Sequence, residues 1–308
     1  MQFPRHILLR LAIAAAIWPA SAGGAPIAQA PARTAPAAAA QAVVALPDRP
    51  GSLKFAIIGD FGTGDREQYQ VGVQMAKLHQ RFPFELVLTV GDNLYGSERP
   101  QDFRRKFEIP YKDVIDAGVK FYASLGNHDD SGTQSAYPGF NMGGERYYSV
   151  KAPRQSVRFF ALDSTYLSPD QIKWLAEALK ESGEDWKITF CHHPPYSSGS
   201  RHGSDLPLRK AVEPLFVQHN VSVVFTGHDH FYERIKPQKD VVYFVAGSGG
   251  KLAKGDIGRR SPLTAKGFDA DYAFVAAEIF GDEMFFNAIS RAGDVVDSGV
   301  ITRRRPPN

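Results

Sequence analysis

The chain has 308 residues, a formal net charge of +3 and one cysteine. That length leaves room for a single core of about 250 residues, and a lone Cys191 excludes any disulfide within the chain, so no covalent staple supports the core. The charge sits before the core: Arg5 and Arg10 lie in the first residues, and Arg33 and Arg49 outweigh Asp48. The remainder is near neutral and lacks the electrostatic footprint of a nucleic-acid binder, the basic tail Arg303-Arg304-Arg305 being an ordinary solvated terminus.

In chain order, residues 1–22 follow a secretion pattern: Arg5 and Arg10 for the basic start, Leu11 to Ile17 for the apolar stretch, and Ala20-Ser21-Ala22 for the cleavage site. Cleavage after Ala22 is expected, giving a periplasmic or secreted protein. The uncharged run falls short of the roughly 20 residues that a spanning helix needs, so no stable membrane association is expected after the signal is removed. No arginine pair in the basic region indicates a twin-arginine route, and no cysteine near the cleavage site indicates lipidation. Residues 23–50 are nearly all Ala, Pro, Gln and Gly and are expected to form a disordered linker. A single folded domain is placed at 51–308.

Within it, the apolar and β-branched runs Leu53–Ile58, Leu86–Val90, Val119–Leu125, Phe159–Leu162, Trp186–Phe190, Val221–Phe225 and Val241–Ala246 read as buried strands. Helices are predicted over Glu67–Arg81, from Ser168 onward and over Leu208–His219. In the second of these Ser168 caps, Pro169 takes the first helical position and Gln171 completes a capping box. After Phe274 the pattern is strand-only. Alternating strand and helix with a strand-rich end predicts an α/β fold of sheets packed face to face and covered outside by helices, with ligand chemistry at the carboxyl ends of the strands.

Five polar motifs follow those runs: Asp60-Phe61-Gly62, Gly91-Asp92-Asn93-Leu94-Tyr95, Gly126-Asn127-His128-Asp129, Cys191-His192-His193 and Gly227-His228-Asp229-His230. Any one of them is an ordinary turn. Together they offer oxygen and imidazole ligands for two adjacent cations, the pairing used for in-line displacement at phosphorus. Buried carboxylates at Asp60 and Asp92 need such cations to offset their desolvation, and Asp92 is the expected bridge. Imidazole with carboxylate and amide oxygen suits Fe, Zn or Mn better than calcium.

The ordered set resembles the calcineurin-type metallophosphoesterases, and within them the purple acid phosphatases of the small, tartrate-resistant type; the similarity covers nearly all of the domain. The superfamily's first motif reads Asp-x-His, whereas Gly62 stands at its third position here; Tyr95 occupies the place where purple acid phosphatases supply a phenolate instead. The fourth motif commonly begins with Val, and this chain has Thr189. The resemblance implies a four-layer α-β-β-α sandwich of two mixed sheets. It implies a ferric ion on Asp60, Tyr95 and His230, with Asp92 bridging to a divalent ion (Fe, Zn or Mn) on Asn127, His192 and His228. His128 is then expected to contact the substrate phosphate and help protonate the leaving alkoxide; Asn127 and His202 join it in binding substrate, and His202 shares its catalytic role. The expected reaction is acid phosphomonoester hydrolysis by a metal-bound hydroxide. A divalent ion lowers the pKa of bound water to about 7, and a trivalent ion should pull harder. No phosphoenzyme is required. The partner is a small-molecule phosphate ester; oligomeric state is left open.

Other readings accompany these. A phosphodiesterase or nucleotidase of the same fold is the nearest alternative, and a binding protein that has lost turnover is another. His193 is expected to pack or hydrogen-bond in the turn before Pro194 and Pro195, Asp129 to orient His128, Cys191 to fill a strand end, and His79 and His219 to be structural. Gly247-Ser248-Gly249-Gly250-Lys251 is not a nucleotide P-loop, since Leu252 replaces the Ser or Thr and no helix follows; it reads as a glycine-rich turn at the site rim. In the loops Asp130–Arg146 and Ser197–Pro207, Tyr137, Phe140 and Tyr196 either stack against a leaving group or pack.

Overall fold

The computed structural model describes residues 43–258 and 261–305; the expected leader and the linker up to residue 42 lie outside them. Strands β1 (Leu53–Ile58), β2 (Leu86–Val90) and β3 (Lys120–Ser124) are parallel to one another, with helix α1 (Arg66–Arg81) crossing between the first two. Between β2 and β3 lie the short helices α2 (Pro100–Phe103) and α3 (Lys112–Asp116), joined by a wide π turn, Arg104–Glu108. After α4 (Ser131–Ala136) come β4 (Tyr148–Lys151), β5 (Val157–Ala161), α5 (Pro169–Glu181), β6 (Trp186–Phe190), α6 (Leu206–Gln218), β7 (Val221–Thr226), β8 (Tyr232–Ile235) and β9 (Val242–Ala246). The chain ends in β10 (Thr264–Phe268), β11 (Ala273–Phe280), β12 (Glu283–Ser290) and β13 (Val295–Thr302).

These form two mixed sheets in the orders β13-β12-β11-β1-β2-β3 and β10-β8-β9-β7-β6-β5-β4. Side-chain parity along the strands assigns the layers. Leu53, Phe55 and Ile57 of β1 face the other sheet, where they meet Phe159, Ile188, Phe225 and Phe244, while Ala56 and Ile58 face outward onto Val71 and Met75 of α1. Outside the second sheet, Leu175 and Leu179 of α5 and Val212 and Phe216 of α6 cover Phe160 and Val224. The architecture is the expected α-β-β-α sandwich.

Two details differ from the sequence reading, and one open alternative is resolved. Residues 43–50 are not linker: the Val44 amide donates to Ser298 Oγ, the amides of Asp48 and Arg49 donate to the carboxylate of buried Glu278, and Leu46 packs on the helix-side cluster. A buried glutamate needs donors, and this segment supplies them. Ser168 does cap α5, accepting from the Gln171 amide, but the Gln171 side chain turns to the backbone of Asp163 instead of completing a capping box. Tyr137, Phe140 and Tyr196 pack: the first two stack with Phe103, and Tyr196 gives its hydroxyl to Glu213. Among the described residues no helix is long and apolar enough to cross a membrane.

Candidate metal centre

Every predicted ligand stands just past the carboxyl end of a parallel strand: Asp60 after β1, Asp92 and Tyr95 after β2, Asn127 after β3, His192 after β6, and His228 and His230 after β7. Both sheets present that end to the same side, so loops distant in sequence converge. Asp60, Asp92 and His228 sit in the left-handed region, with φ of 54, 49 and 70°. Such a backbone costs a non-glycine residue on the order of 1 kcal/mol and clusters at functional sites.

Two ligand groups result. Asp60, Asp92 and His230 offer atoms all within 4.8 Å of one another, and the Tyr95 hydroxyl joins them at 3.3 Å from Asp60 Oδ1 and 3.4 Å from His230 Nε2. In the second, His192 Nε2 lies 3.0 Å from Asn127 Oδ1 and 3.1 Å from His228 Nδ1. Asp92 links the two: its Oδ1 is 3.5 Å from His192 Nε2. The geometry thus places the expected bridge between the groups.

The donor set fits cations. His192 Nδ1 donates to the Val90 carbonyl at 3.0 Å, which leaves Nε2 as a bare lone pair facing another acceptor, Asn127 Oδ1; a carbonyl partner on the far nitrogen is how metal-ligating histidines are oriented. Burial drives the His192 imidazole down to about 4 and that of His228 to about 2, so both stay neutral and able to ligate. Burial, then the neighbouring Asp92 charge, pushes the Asp60 carboxyl well above its ordinary range, and burial, then Asp60, raises the Tyr95 phenol. Among the described residues no lysine or arginine forms an ion pair with Asp60 or Asp92, whose near partners are His230 and His192, so these buried carboxylates lack the neutralising charge that a bound metal would supply.

The Gly62 departure acquires a steric reason. A Cβ at position 62 would lie 1.8 Å from the Asn93 carbonyl oxygen, and the Gly62 carbonyl itself accepts the Tyr95 amide at 2.9 Å. The close approach of the two loops that forbids a side chain at 62 also places the amide that ties Tyr95 to the first motif. Gly126 serves a similar approach, since a Cβ there would meet Asp92 Oδ1 at 2.2 Å.

The remaining candidates also gather here. The exposed His128 ring lies 4.9 Å from that of Tyr95, and the His202 ring 4.3 Å from that of His228. His193 hydrogen-bonds Ser164 Oγ at 3.0 Å, yet with His192 and His228 it also forms a compact imidazole group. Asp129 does not orient His128. Its carboxylate accepts the amides of Asn93, Leu94 and Gly126, lashing the second motif to the third. Asn93 completes that lashing by donating to the Ser124 carbonyl and accepting from Thr89 Oγ1. Asn93 went unassigned at the sequence level although it lies inside a motif; its burial was the missing signal. Cys191 is buried among apolar side chains, which pushes its thiol up to about 12. His79 packs against Phe84 at the end of α1.

Residues 53–232 match the profile described as calcineurin-like phosphoesterase. The chain belongs to that family. It is a metallophosphoesterase-family hydrolase, and the characterised relatives it resembles are purple acid phosphatases. Purple acid phosphatase 4 of Arabidopsis thaliana is 26% identical over 272 residues, 77% of this chain and 80% of that one. Tartrate-resistant acid phosphatase type 5 of Oryctolagus cuniculus is 25% identical over 238 residues, 64% of this chain and 73% of the relative. Among solved structures, GAP50, the anchor in the inner membrane complex of Plasmodium, aligns with a TM-score of 0.71 at 20% identity, covering 83% of this chain and 90% of its own. A purple acid phosphatase from yellow lupin (Lupinus luteus) seeds aligns at 0.66 and 18% identity, covering 84% of this chain and 55% of its own. These two likenesses concern the fold. In this phosphoesterase the ligand groups mark where a dinuclear centre would sit.

Proposed function

We propose that the protein is an exported acid phosphatase, periplasmic or secreted, that hydrolyses small phosphate monoesters at a ferric and divalent pair, the second ion being Fe, Zn or Mn. The observation that carries the reading is the Tyr95 hydroxyl, 3.3 and 3.4 Å from Asp60 and His230, beside a Gly62 that has no room for a histidine. Asp60, Tyr95 and His230 would hold the ferric ion, Asn127, His192 and His228 the divalent one, and Asp92 both. When bound, the pair supplies Lewis acidity that activates water and offsets charge on the phosphoryl oxygens.

The chain's own groups do the rest. Asn127, His128 and His202 are exposed at the mouth of the site and stand where an ester phosphate would be gripped. His128 is free to give a proton to the leaving alkoxide, the assistance expected of a positioned imidazole. Asp92 accepts the His128 amide at 3.0 Å, so the ligand and the proton donor are set by one contact. A secretion-type amino terminus supports export.

Metal content, visible spectrum and amino-terminal sequence of protein recovered outside the cytoplasm test the reading together. Iron, a visible absorption band lost in Tyr95→Phe, and a mature chain starting at Gly23 are expected. A colourless, iron-free and fully active enzyme would refute the ferric assignment. Faster hydrolysis of diesters than of monoesters would instead select the diesterase reading.

A further inference from the structure

We propose that Lys251, aided by Arg201, reads a second negative charge on the substrate, so that the enzyme favours phosphate compounds whose leaving group is itself anionic. The inference rests on the phosphatase reading above and concerns the one glycine-rich motif that the metal centre does not absorb. The turn Gly247–Lys251 follows β9 and is stitched to the first metal motif: the Gly249 amide donates to the Gly59 carbonyl and the Gly250 amide to that of Asp60, both at 3.0 Å. A Cβ on Gly250 would lie 2.1 Å from the Phe61 carbonyl oxygen, so the turn presses directly on the loop that carries Asp60. It is a delivery device for the next residue.

That residue sets its ammonium 4.6 Å from the centre of the Tyr95 ring. The ammonium lies over the face of that ring, whose hydroxyl is the atom 3.3 Å from Asp60 Oδ1 and 3.4 Å from His230 Nε2. The charge therefore stands beside the place an ester phosphate would take rather than inside it. Arg201 is exposed and adjoins His202, whose ring packs on His228 at the centre.

Several part-buried cations of the domain are matched, Arg146 with Asp163, Arg158 with Glu184, Arg234 with Asp297 and Arg291 with Asp271, while Arg209 lies over an aromatic face and Arg304 bonds backbone carbonyls instead. Among the described residues, Lys251 and Arg201 have no such carboxylate. A cation over an aromatic face gains only about 0.5–1 kcal/mol at an exposed site, which leaves an ammonium beside a catalytic pocket available for an anion. Lysine is a point-charge binder of phosphate or carboxylate. The second anion thus belongs to the leaving group, either a carboxylate or another phosphate.

The test compares kcat and KM of wild type, Lys251→Gln, Lys251→Arg and Arg201→Gln on glycerol phosphate, phosphoglycerate and pyrophosphate. Inhibition constants for phosphate and methylenediphosphonate give a readout free of turnover. Lys251→Gln should raise KM for the doubly anionic substrates about ten-fold more than for glycerol phosphate, a difference of about 1.4 kcal/mol. Lys251→Arg should recover most of it, Arg201→Gln should shift it less in the same direction, and salt should erode it. Loss confined to pyrophosphate assigns the second anion as phosphate, and loss confined to phosphoglycerate assigns it as carboxylate. A uniform loss across all substrates with an unchanged inhibition ratio overturns the inference while leaving the phosphatase reading standing. A wild type that turns over none of the three overturns both.

Discussion

At the scale of single residues, the centre is defined as much by what is absent from a side chain as by what is present. The sequence shows Gly62 and Tyr95 as separate departures from a superfamily pattern; the structure shows them as one contact, through the Gly62 carbonyl and the Tyr95 amide. Gly62→Ala should therefore do more than crowd a loop. With the Asn93 carbonyl oxygen 1.8 Å from the new carbon, the second motif must move, and overpacking of this kind typically costs about 1–3 kcal/mol. A lower thermal midpoint together with a shifted or weakened visible band is expected. An unchanged band and midpoint would mean that the two loops are not coupled. A Gly62→His variant would not restore the superfamily arrangement while Tyr95 stays in place.

Elements differ in how plainly the sequence announces them, and burial decides which. β1, β2 and β6 were readable to the residue because their side chains are buried on both faces. β4 and β10 are half-exposed edge strands carrying Lys151, Lys266 and Gly267, and β8 hides Glu233 and Arg234 in a strand of only four residues, so none shows a continuous apolar run. The metal ligands were legible because each follows a strong strand; the lashing by Asn93 and Asp129 was not, since hydrogen bonds to backbone leave no sequence period. A tie of the same hidden kind joins β5 to the end of α5. Glu184 takes two hydrogen bonds from Arg158 at 2.9 Å and one from Ser182 at 2.8 Å, and the Arg158 guanidinium, ahead of the Ser182 bond, holds its carboxyl down at about 2. A depressed carboxylate gives stability that is present above its unfolded pKa, near 4.5, and is lost as pH falls toward 2. Glu184→Gln should thus lower stability at pH 7 by on the order of 1 kcal/mol, and the gap to wild type should close between those pH values. A gap independent of pH would show that the pair contributes shape rather than charge. Retaining this tie at moderately acidic pH suits an enzyme proposed to work there.

For the whole molecule, the important fact is that the ligands are divided between the sheets. Asp60, Asp92, Tyr95 and Asn127 belong to the first sheet, and His192, His228 and His230 to the second. The layers are also joined by the apolar cluster between them, which is indifferent to where the strand ends point, and by polar ties such as those of Tyr232 and Arg234 to Asp297. Bound ions would fasten those ends, and with a lone cysteine no covalent staple shares the task. Ligand bound only to the folded state stabilises it by about 4 kcal/mol at a thousand times its Kd. Removing metal with a chelator should accordingly lower the thermal midpoint by several degrees or more. It should speed hydrogen exchange in the motif loops of both sheets at once, while amides at the opposite ends of β1, β2 and β6 stay protected. Readdition of Fe, Zn or Mn should reverse both changes. Loss restricted to one sheet's loops would mean that Asp92 does not bridge, because only a shared ligand makes the two halves of the site answer together. An unchanged midpoint after verified metal loss would show that the buried carboxylates and imidazoles are held by the apolar core alone.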